Sequence, residues 1–328
     1  MPDSPQAKLT IVAEFPEHFF LENLAIRSDG SMLVTVANRK ELWFVPATRE
    51  ALAVEPLHLF TFEYNACFVV EWQAERFVIG VADVYDTRRA RLYELDLSGW
   101  IPGTAVSPRQ ILEFPQPWAG LNGGCMIAPN VLLAAGMADL IWRVDLDGVG
   151  AALARIWLRH DSMKNRPGEK KPEQPGTNGV QFDAQRGYLY YTTTSQQMML
   201  RVKVDPATWD AIGLPEFVAG GREWDDFVID AEAGVAYVTT HRENTIDLVR
   251  LAPDGNRAGR TVIAGEPFTE TLVGPSAGAW GRSPGDKGRL GYFLTDGGTA
   301  QPPDGTYRTA KVLRVELPQV AASADRSG

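Results

Sequence analysis

The chain has 328 residues, of which 45% are hydrophobic and 22% are charged, and its formal net charge is −9. Nucleic acids and anionic membrane surfaces bind clustered Lys and Arg, so this acidic balance argues against both as partners. With 31 Gly and 22 Pro dividing the apolar runs, the composition predicts many short strands joined by turns.

The first segment, MPDSPQAKLTIVAEF, has no apolar signal region after a basic start, and no later stretch resembles a membrane-spanning helix. We therefore expect a cytoplasmic protein. Within this segment, LTIVAEF at 9–15 has the pattern of a strand. Further along the chain, Cys67 and Cys125 each lie inside an apolar run, which predicts two buried thiols instead of a disulfide.

Six segments share one layout, in which a turn and a short strand precede two further strands joined by a tight turn. They begin at Leu21, Asn65, Gly120, Gly176, Asp225 and Gly274. The starts recur about every 44 to 56 residues, which is the interval of a four-stranded propeller blade with variable loops. The repeat predicts an all-β, six-bladed β-propeller over residues 1–318, followed by a flexible tail at 319–328.

Each blade needs a fourth, outer strand, and the spacers supply five apolar candidates at 57–62, 109–114, 154–160, 216–220 and 260–265. The sixth blade has no such segment after Pro318. We therefore expect residues 9–15 to provide its outer strand and to close the ring, which removes exposed sheet edges. A pair of β-sandwiches is the alternative architecture.

The loops that precede the innermost strands, and those between the second and third strands, should meet at one face of the channel. They carry recurrent carboxylates and amides, whose oxygens suit Ca²⁺ or Mg²⁺. Asn and Asp at such positions also form ordinary turns. His241 is a candidate proton shuttle or a surface residue. The catalytic candidates are Asn122, Asp226, His241 and Ser276, and the substrate-binding candidates are Tyr64, Asp83, Tyr85, Trp118 and Trp224.

Three motifs resemble the metal-binding motifs of the SMP-30/gluconolactonase/LRE-like propellers, which read E-G-P, P-N-G and P-D-G. They are LENLA with Glu22, TNGVQFD with Asn178, and DDFVID with Asp225. The resemblance covers nearly the whole chain and is strongest to a fungal branch linked to natural-product pathways. It implies a divalent cation held by Glu22, Asn178 and Asp225, at a site that this chain either retains or has lost.

Two departures from that family bear on the reaction. The lactonases carry an acidic residue in the third blade where this chain has Asn122-Gly123-Gly124, and an Arg of the sugar-lactone enzymes corresponds to Gly120. Aromatic rings near the inner strands favour an apolar ligand, although Trp side chains also pack between blades. We therefore expect an apolar small-molecule substrate.

The resemblance and the departures predict an enzyme of secondary metabolism. Its expected reaction is the cyclisation or hetero-Diels–Alder cycloaddition of an unsaturated polyketide or terpenoid, without a required cofactor. The alternatives are a metal-dependent lactone or ester hydrolase, with Asp226, Asp83 or Glu71 as base, and a non-catalytic binding propeller. The Pro-rich, charged segment 161–175 is predicted to cover the channel mouth. The sequence does not indicate an oligomeric state.

Overall fold

The computed structural model describes residues 6–48, 53–84, 86–115, 120–147, 152–168, 174–251 and 259–318. Tyr85, Trp118, part of the 161–175 segment and the 319–328 tail therefore lie outside the described residues. No helix in these ranges is long and apolar enough to cross a membrane.

Twenty-four strands form six antiparallel sheets of four strands each in the described ranges. We number these sheets as blades one to six in chain order. Blade one contains β2 Leu21–Ile26, β3 Met32–Val36, β4 Glu41–Val45 and β5 Leu57–Thr61. Blade two contains β6 Asn65–Gln73, β7 Arg76–Ala82, β8 Ala90–Asp96 and β9 Arg109–Glu113. Blade three contains β10 Leu121–Ala128, β11 Val131–Gly136, β12 Leu140–Leu146 and β13 Ala152–Arg159.

The second half of the chain repeats the order. Blade four contains β14 Thr177–Asp183, β15 Tyr188–Thr193, β16 Met198–Val204 and β17 Ala211–Gly220. Blade five contains β18 Phe227–Asp230, β19 Val235–Thr240, β20 Thr245–Arg250 and β21 Arg260–Ala264. Blade six contains β22 Pro275–Trp280, β23 Leu290–Thr295, β24 Ala310–Glu316 and the N-terminal strand β1 Lys8–Phe15. Two short 3₁₀ turns lie at Ala37–Arg39 and Asp161–Met163.

The ring is closed by its first strand. Strand β1 pairs with β24 from Lys8 opposite Glu316 to Phe15 opposite Ala310, with one bulge between Ile11 and Ala13. Both termini of the described chain therefore belong to one sheet, and blade six has no unpaired long strand within the described ranges. The predicted propeller, its outer strands and its closure by residues 9–15 are confirmed, and the sandwich alternative is wrong.

The hydrophobic core lies between the blades. Among the described residues, six clusters of buried apolar side chains form, and each joins two neighbouring blades. The cluster between blades two and three, for example, packs Phe68 against Leu121 and Leu132. Cys67 and Cys125 are buried, free thiols in these layers, as predicted. Burial between blades holds the inner strands around the channel.

Candidate functional site

One end of the channel opens into a cavity of about 390 Å³, which we call the upper cavity. All six blades contribute to its wall. Its lining includes Phe20, Glu22, Asn65, Cys67, Val84, Leu121, Asn122, Met137, Gln174, Asn178, Asp225, His241, Arg242 and Thr299. The apolar members of blades two and three, Cys67, Val84, Leu121 and Met137, form one side of the set. The acidic and basic residues of the lining, Glu22, Asp225, His241 and Arg242, come from blades one and five.

Irregular pairing at the start of the inner strands coincides with these lining positions. The register of the inner strand shifts between Leu21 and Asn23 in blade one, between Leu121 and Gly124 in blade three, and between Thr177 and Val180 in blade four. A bulge redirects the side chains near it. These bulges therefore explain why Glu22, Asn122 and Asn178, at the starts of their strands, line the cavity.

The two positions after Asn122 lie so close to the neighbouring blades that only glycine fits there. A Cβ atom on Gly123 would lie 2.9 Å from the Asn178 carbonyl oxygen. A Cβ on Gly124 would lie 2.8 Å from the Phe68 ring. The Asn-Gly-Gly segment therefore lets blade three approach blades two and four closely, and Asn122 is the member of this segment that lines the cavity.

His241 is held by a buried carboxylate. Its Nε2 lies 3.1 Å from Asp296 Oδ2, and its ring centroid lies 5.0 Å from that of Phe20. Asp296 has no exposed surface and also accepts hydrogen bonds from the backbone N–H groups of Gly298 and Ala300, at 2.7 and 2.8 Å. Burial lowers the pKa of His241, but the attraction of Asp296 and Asp225 outweighs it and raises that pKa above its ordinary value. The pair can therefore hold a proton or donate a hydrogen bond to a ligand.

The turn that carries His241 is fixed to blade six. Asn244 adopts a left-handed backbone conformation with φ of 60°. Its Oδ1 accepts a hydrogen bond from the Gly274 N–H at 2.9 Å, and its Nδ2 donates to the Arg242 carbonyl at 3.2 Å. The Asn244 hydrogen bonds therefore hold the turn that carries His241 and Arg242 against blade six.

Two carboxylates face the same cavity. Burial and the negative charges of Asp225, Asp226 and Asp296 raise the pKa of Glu22 well above its ordinary range. Burial also raises the pKa of Asp225 to about 6, although His241 and a hydrogen bond from Asn178 oppose the shift. Crowded buried carboxylates of this kind bind either protons or a cation.

The donors of the predicted metal site come together. Glu22, Asn178 and Asp225 all line the upper cavity. Asn178 is 2% exposed, and its Nδ2 donates to Thr194 Oγ1 at 2.8 Å, while its buried Oδ1 has no hydrogen-bond partner among the described residues. No group of three His, Cys, Asp or Glu side chains suited to a metal ion occurs in the described ranges, so the set depends on this amide oxygen. One orphaned amide oxygen and two carboxylates fit a hard divalent cation.

Asp226 is not among the residues that line the upper cavity. Its Oδ2 accepts a hydrogen bond from Asn23 Nδ2 at 3.1 Å, and its Oδ1 accepts one from the Phe227 N–H at 2.8 Å. Asn23 and Gln181 line a second cavity of about 400 Å³ between the inner strands, the lower cavity. Burial raises the pKa of Asp226 to about 7. Because Asp226 does not line the upper cavity, the structure does not support the prediction that it is catalytic there.

Two other candidates have structural partners. The Ser276 hydroxyl is buried and donates to the Leu21 carbonyl at 2.6 Å, which joins blade six to blade one. Trp224 is fully buried between blades four and five, and its Nε1 donates to Asp247 Oδ2 at 3.1 Å. Neither side chain lines the upper cavity, so packing between blades accounts for both.

Tyr64 and Asp83 also lie outside the lining. The Arg91 guanidinium stacks 5.1 Å from the centre of the Tyr64 ring. Asp83 accepts hydrogen bonds from the backbone N–H of Thr87 at 2.9 Å and from its hydroxyl at 2.6 Å, which makes it a turn residue. The roles predicted for Tyr85 and Trp118 fall on residues outside the described ranges.

The loops predicted to meet at the channel face include Arg242 and Asp296, but the sequence assigns neither residue a role, and it does not select Phe20. Asp296 stands in a loop of blade six, far in sequence from His241, and no local pattern joins the two. Gln174 and Pro175, at the end of the predicted cover segment, do line the cavity. Gln174 is held there by a hydrogen bond from its Nε2 to Glu223 Oε2 at 3.1 Å.

No family model matches the chain, and no curated protein matches it in sequence. Solved structures do match. A luciferin-regenerating enzyme is 14% identical, with 96% of this chain and 97% of that chain covered and a TM-score of 0.67. The calcium-binding protein regucalcin from Agrobacterium tumefaciens is 15% identical, with coverages of 95% and 97% and a TM-score of 0.61. A periplasmic gluconolactonase from Pseudomonas aeruginosa is 11% identical, with coverages of 78% and 71% and a TM-score of 0.56. At these identities the comparisons show a shared fold.

Proposed function

We propose that the chain is an enzyme that converts a small unsaturated carbonyl compound in the upper cavity, by cyclisation or hetero-Diels–Alder cycloaddition. The observation that carries this proposal is His241, which lines a cavity of about 390 Å³ and is held by the buried Asp296 carboxylate. A cavity of this volume is in the range that holds a small organic ligand.

The lining suits a substrate with an apolar body and a polar end. Cys67, Val84, Leu121 and Met137 offer apolar contacts, and His241 offers a donor to a carbonyl oxygen. The Asn122 amide makes no hydrogen bond within the described part of the chain, so it is a second available donor. Hydrogen bonds to a carbonyl oxygen stabilise the charge that develops there, and confinement brings the reacting carbons together. Cycloaddition forms its new bonds without net loss of a proton, so the donor only has to hold its hydrogen bond.

The test uses an ortho-quinone methide, generated in situ, and an achiral cyclic terpene alkene. The uncatalysed addition gives a racemic adduct, so we expect the wild-type protein to give an enantiomeric excess together with a faster rate. His241→Gln should lose most of both, whereas His58→Gln, an exposed change on an outer strand, should retain them. A racemic adduct formed at the background rate by the folded wild-type protein would contradict this function.

A second candidate is metal-dependent hydrolysis of a lactone or ester, and the partnerless Asn178 Oδ1 beside Glu22 and Asp225 favours it. A cation bound by these three residues would polarise a carbonyl and activate water. A panel of simple lactones, assayed with and without added Ca²⁺ or Mg²⁺, tests this candidate. Rapid ring opening that requires the cation would replace the cycloaddition proposal.

A further inference from the structure

Arg242 is a cation of the upper cavity that forms no ion pair with any described residue. It lines the cavity next to His241, and its backbone is fixed by the Asn244 hydrogen bond. Its Nε is buried and lacks a hydrogen-bond partner in the described part of the chain. A buried donor without a partner has lost its hydrogen bond to water, so a ligand that accepts from it would be stabilised.

The nearby carboxylates are already engaged. Glu243, the next residue in the chain, forms an ion pair with Arg222 through Oε2, and its Oε1 accepts from the Glu223 N–H at 3.2 Å. Glu266 pairs with the same Arg222 at 3.4 Å. Both Glu243 and Glu266 are therefore paired with Arg222. Arg242 has neither of them as a partner, and it lines the cavity.

Asp225 lines the same cavity, and Arg242 forms no salt bridge with it. Asp225 also belongs to the oxygen set with Glu22 and Asn178. A cation held by that set would neutralise the carboxylates and leave the Arg242 side of the cavity positive. The apolar wall of Leu121 and Met137 is contributed by another blade, so an amphipathic anion would find complementary surfaces.

We propose that Arg242 binds the anionic end of the substrate, a planar group in which two oxygens share one negative charge. A guanidinium matches such a group with two parallel N–H donors, which a lysine ammonium does not reproduce. Carboxylates and the enolates of 1,3-diketones share this chemistry. This inference rests on the proposed function, because it takes the upper cavity as the substrate site, and it adds the substrate's charge class.

The experiment measures binding of benzoate, the enolate of 2-acetyl-1,3-cyclohexanedione and neutral benzamide to the full-length protein by ligand-observed NMR titration, with and without Ca²⁺. We expect wild-type protein to bind at least one of the two anions and to prefer benzoate over benzamide. Arg242→Gln should weaken anion binding by about tenfold or more, because it removes the hydrogen bonds of a charged donor to the anion. The affinity of Arg242→Lys for the anions should lie between those of the wild-type protein and Arg242→Gln. Comparison of the two anions identifies which source of the oxygen pair is preferred.

Lys287→Gln is the matched control, because it removes one positive charge from the lower cavity. It should leave anion binding unchanged, and thermal unfolding should show that all variants are folded. Equal binding by wild-type protein and folded Arg242→Gln, equal binding of benzoate and benzamide, or no anion binding at millimolar concentration would each overturn the proposal. Binding is measured without turnover, so absence of catalysis with anion selectivity retained would contradict only the proposed function.

Discussion

The hydrogen bond between His241 Nε2 and Asp296 Oδ2, 3.1 Å long, joins blade five to blade six at the edge of the upper cavity. Backbone amides hold the Asp296 carboxylate in place, so the carboxylate in turn fixes the orientation of the imidazole. A donor fixed before the ligand arrives has no reorganisation to undergo in the transition state.

The first prediction tests this pair. His241→Gln and Asp296→Asn should each lower kcat by about 10²-fold, which is typical for loss of a positioned acid or hydrogen-bond donor. The double variant should be scarcely slower than either single one, because the two residues act as one unit. Additive losses of kcat in the double variant would show that the residues act separately.

The strand repeat made the propeller predictable, because apolar inner strands and regular turns recur along the whole chain. The closing strand was predictable for the same reason, since blade six lacked a fourth strand. Glu22, Asn178 and Asp225 were found through short motifs. Trp224 was misleading, because an aromatic residue beside an inner strand packs between blades as readily as it lines a pocket. The repeat places Arg242 and Asp296 in loops at the channel face, but the contact of Asp296 with His241 joins two blades and leaves no periodic signal in the sequence.

The second prediction concerns a cation. Ca²⁺ added to the wild-type protein should raise the melting temperature, because it binds the native arrangement of Glu22, Asn178 and Asp225 and not the unfolded chain. Asn178→Ala should abolish most of this increase. Asn65→Ala, which alters another amide of the same cavity, should retain it. An equal Ca²⁺-dependent increase in both variants would remove Asn178 from the ligand set.

The third prediction follows from the pKa of Asp226, which burial raises to about 7. The native state keeps this proton after the unfolded chain, with an ordinary pKa of about 3.9, has released it. Between these values the unfolded state binds fewer protons, so this residue lowers stability as the pH rises from about 4 to about 7. The difference in unfolding free energy between Asp226→Asn and wild-type protein should therefore shift in favour of the variant over this range.

Chemical denaturation at several pH values measures that difference. Asp96→Asn serves as the control, because Asp96 is exposed and hydrogen bonds from Ser98 lower its pKa. Any pH dependence of stability that Asp96 contributes therefore lies below about pH 4. Parallel stability profiles for Asp226→Asn and wild-type protein would show that the Asp226 pKa is not raised.

The fourth prediction tests the closure of the ring. Phe15, at the end of β1, is 1% exposed and packs with its ring centroid 5.4 Å from that of Trp43 in blade one. Phe15→Ala should lower the free energy of unfolding by about 3–5 kcal/mol, as expected for a large-to-small change in a packed core. Ile101→Ala, at a side chain that is 67% exposed, should change it by less than about 0.5 kcal/mol. Equal effects of the two changes in denaturant unfolding would mean that β1 does not stabilise the ring.

The last prediction separates the position of Asp296 from general backbone strain. Gly274 has φ of 66°, and a Cβ atom there would lie 1.7 Å from Asp296 Oδ1. Gly285 has φ of 84°, and a Cβ atom there would meet no described atom within 4 Å. Gly285→Ala therefore introduces the same kind of backbone strain as Gly274→Ala but no clash. The left-handed alanine should lower stability by about 1–2 kcal/mol in both variants, and the clash adds a further cost in Gly274→Ala alone. Only Gly274→Ala should also displace Asp296.

Displacement of Asp296 releases the His241 imidazole, so Gly274→Ala should lower kcat toward the value of Asp296→Asn, while Gly285→Ala should retain the wild-type kcat. Thermal unfolding of both variants establishes the temperature at which each is fully folded, and kcat is compared below that temperature. If the two glycine variants then turn over at the same rate, the reaction does not depend on where Asp296 holds the imidazole, and the contact between blades five and six stabilises the fold alone.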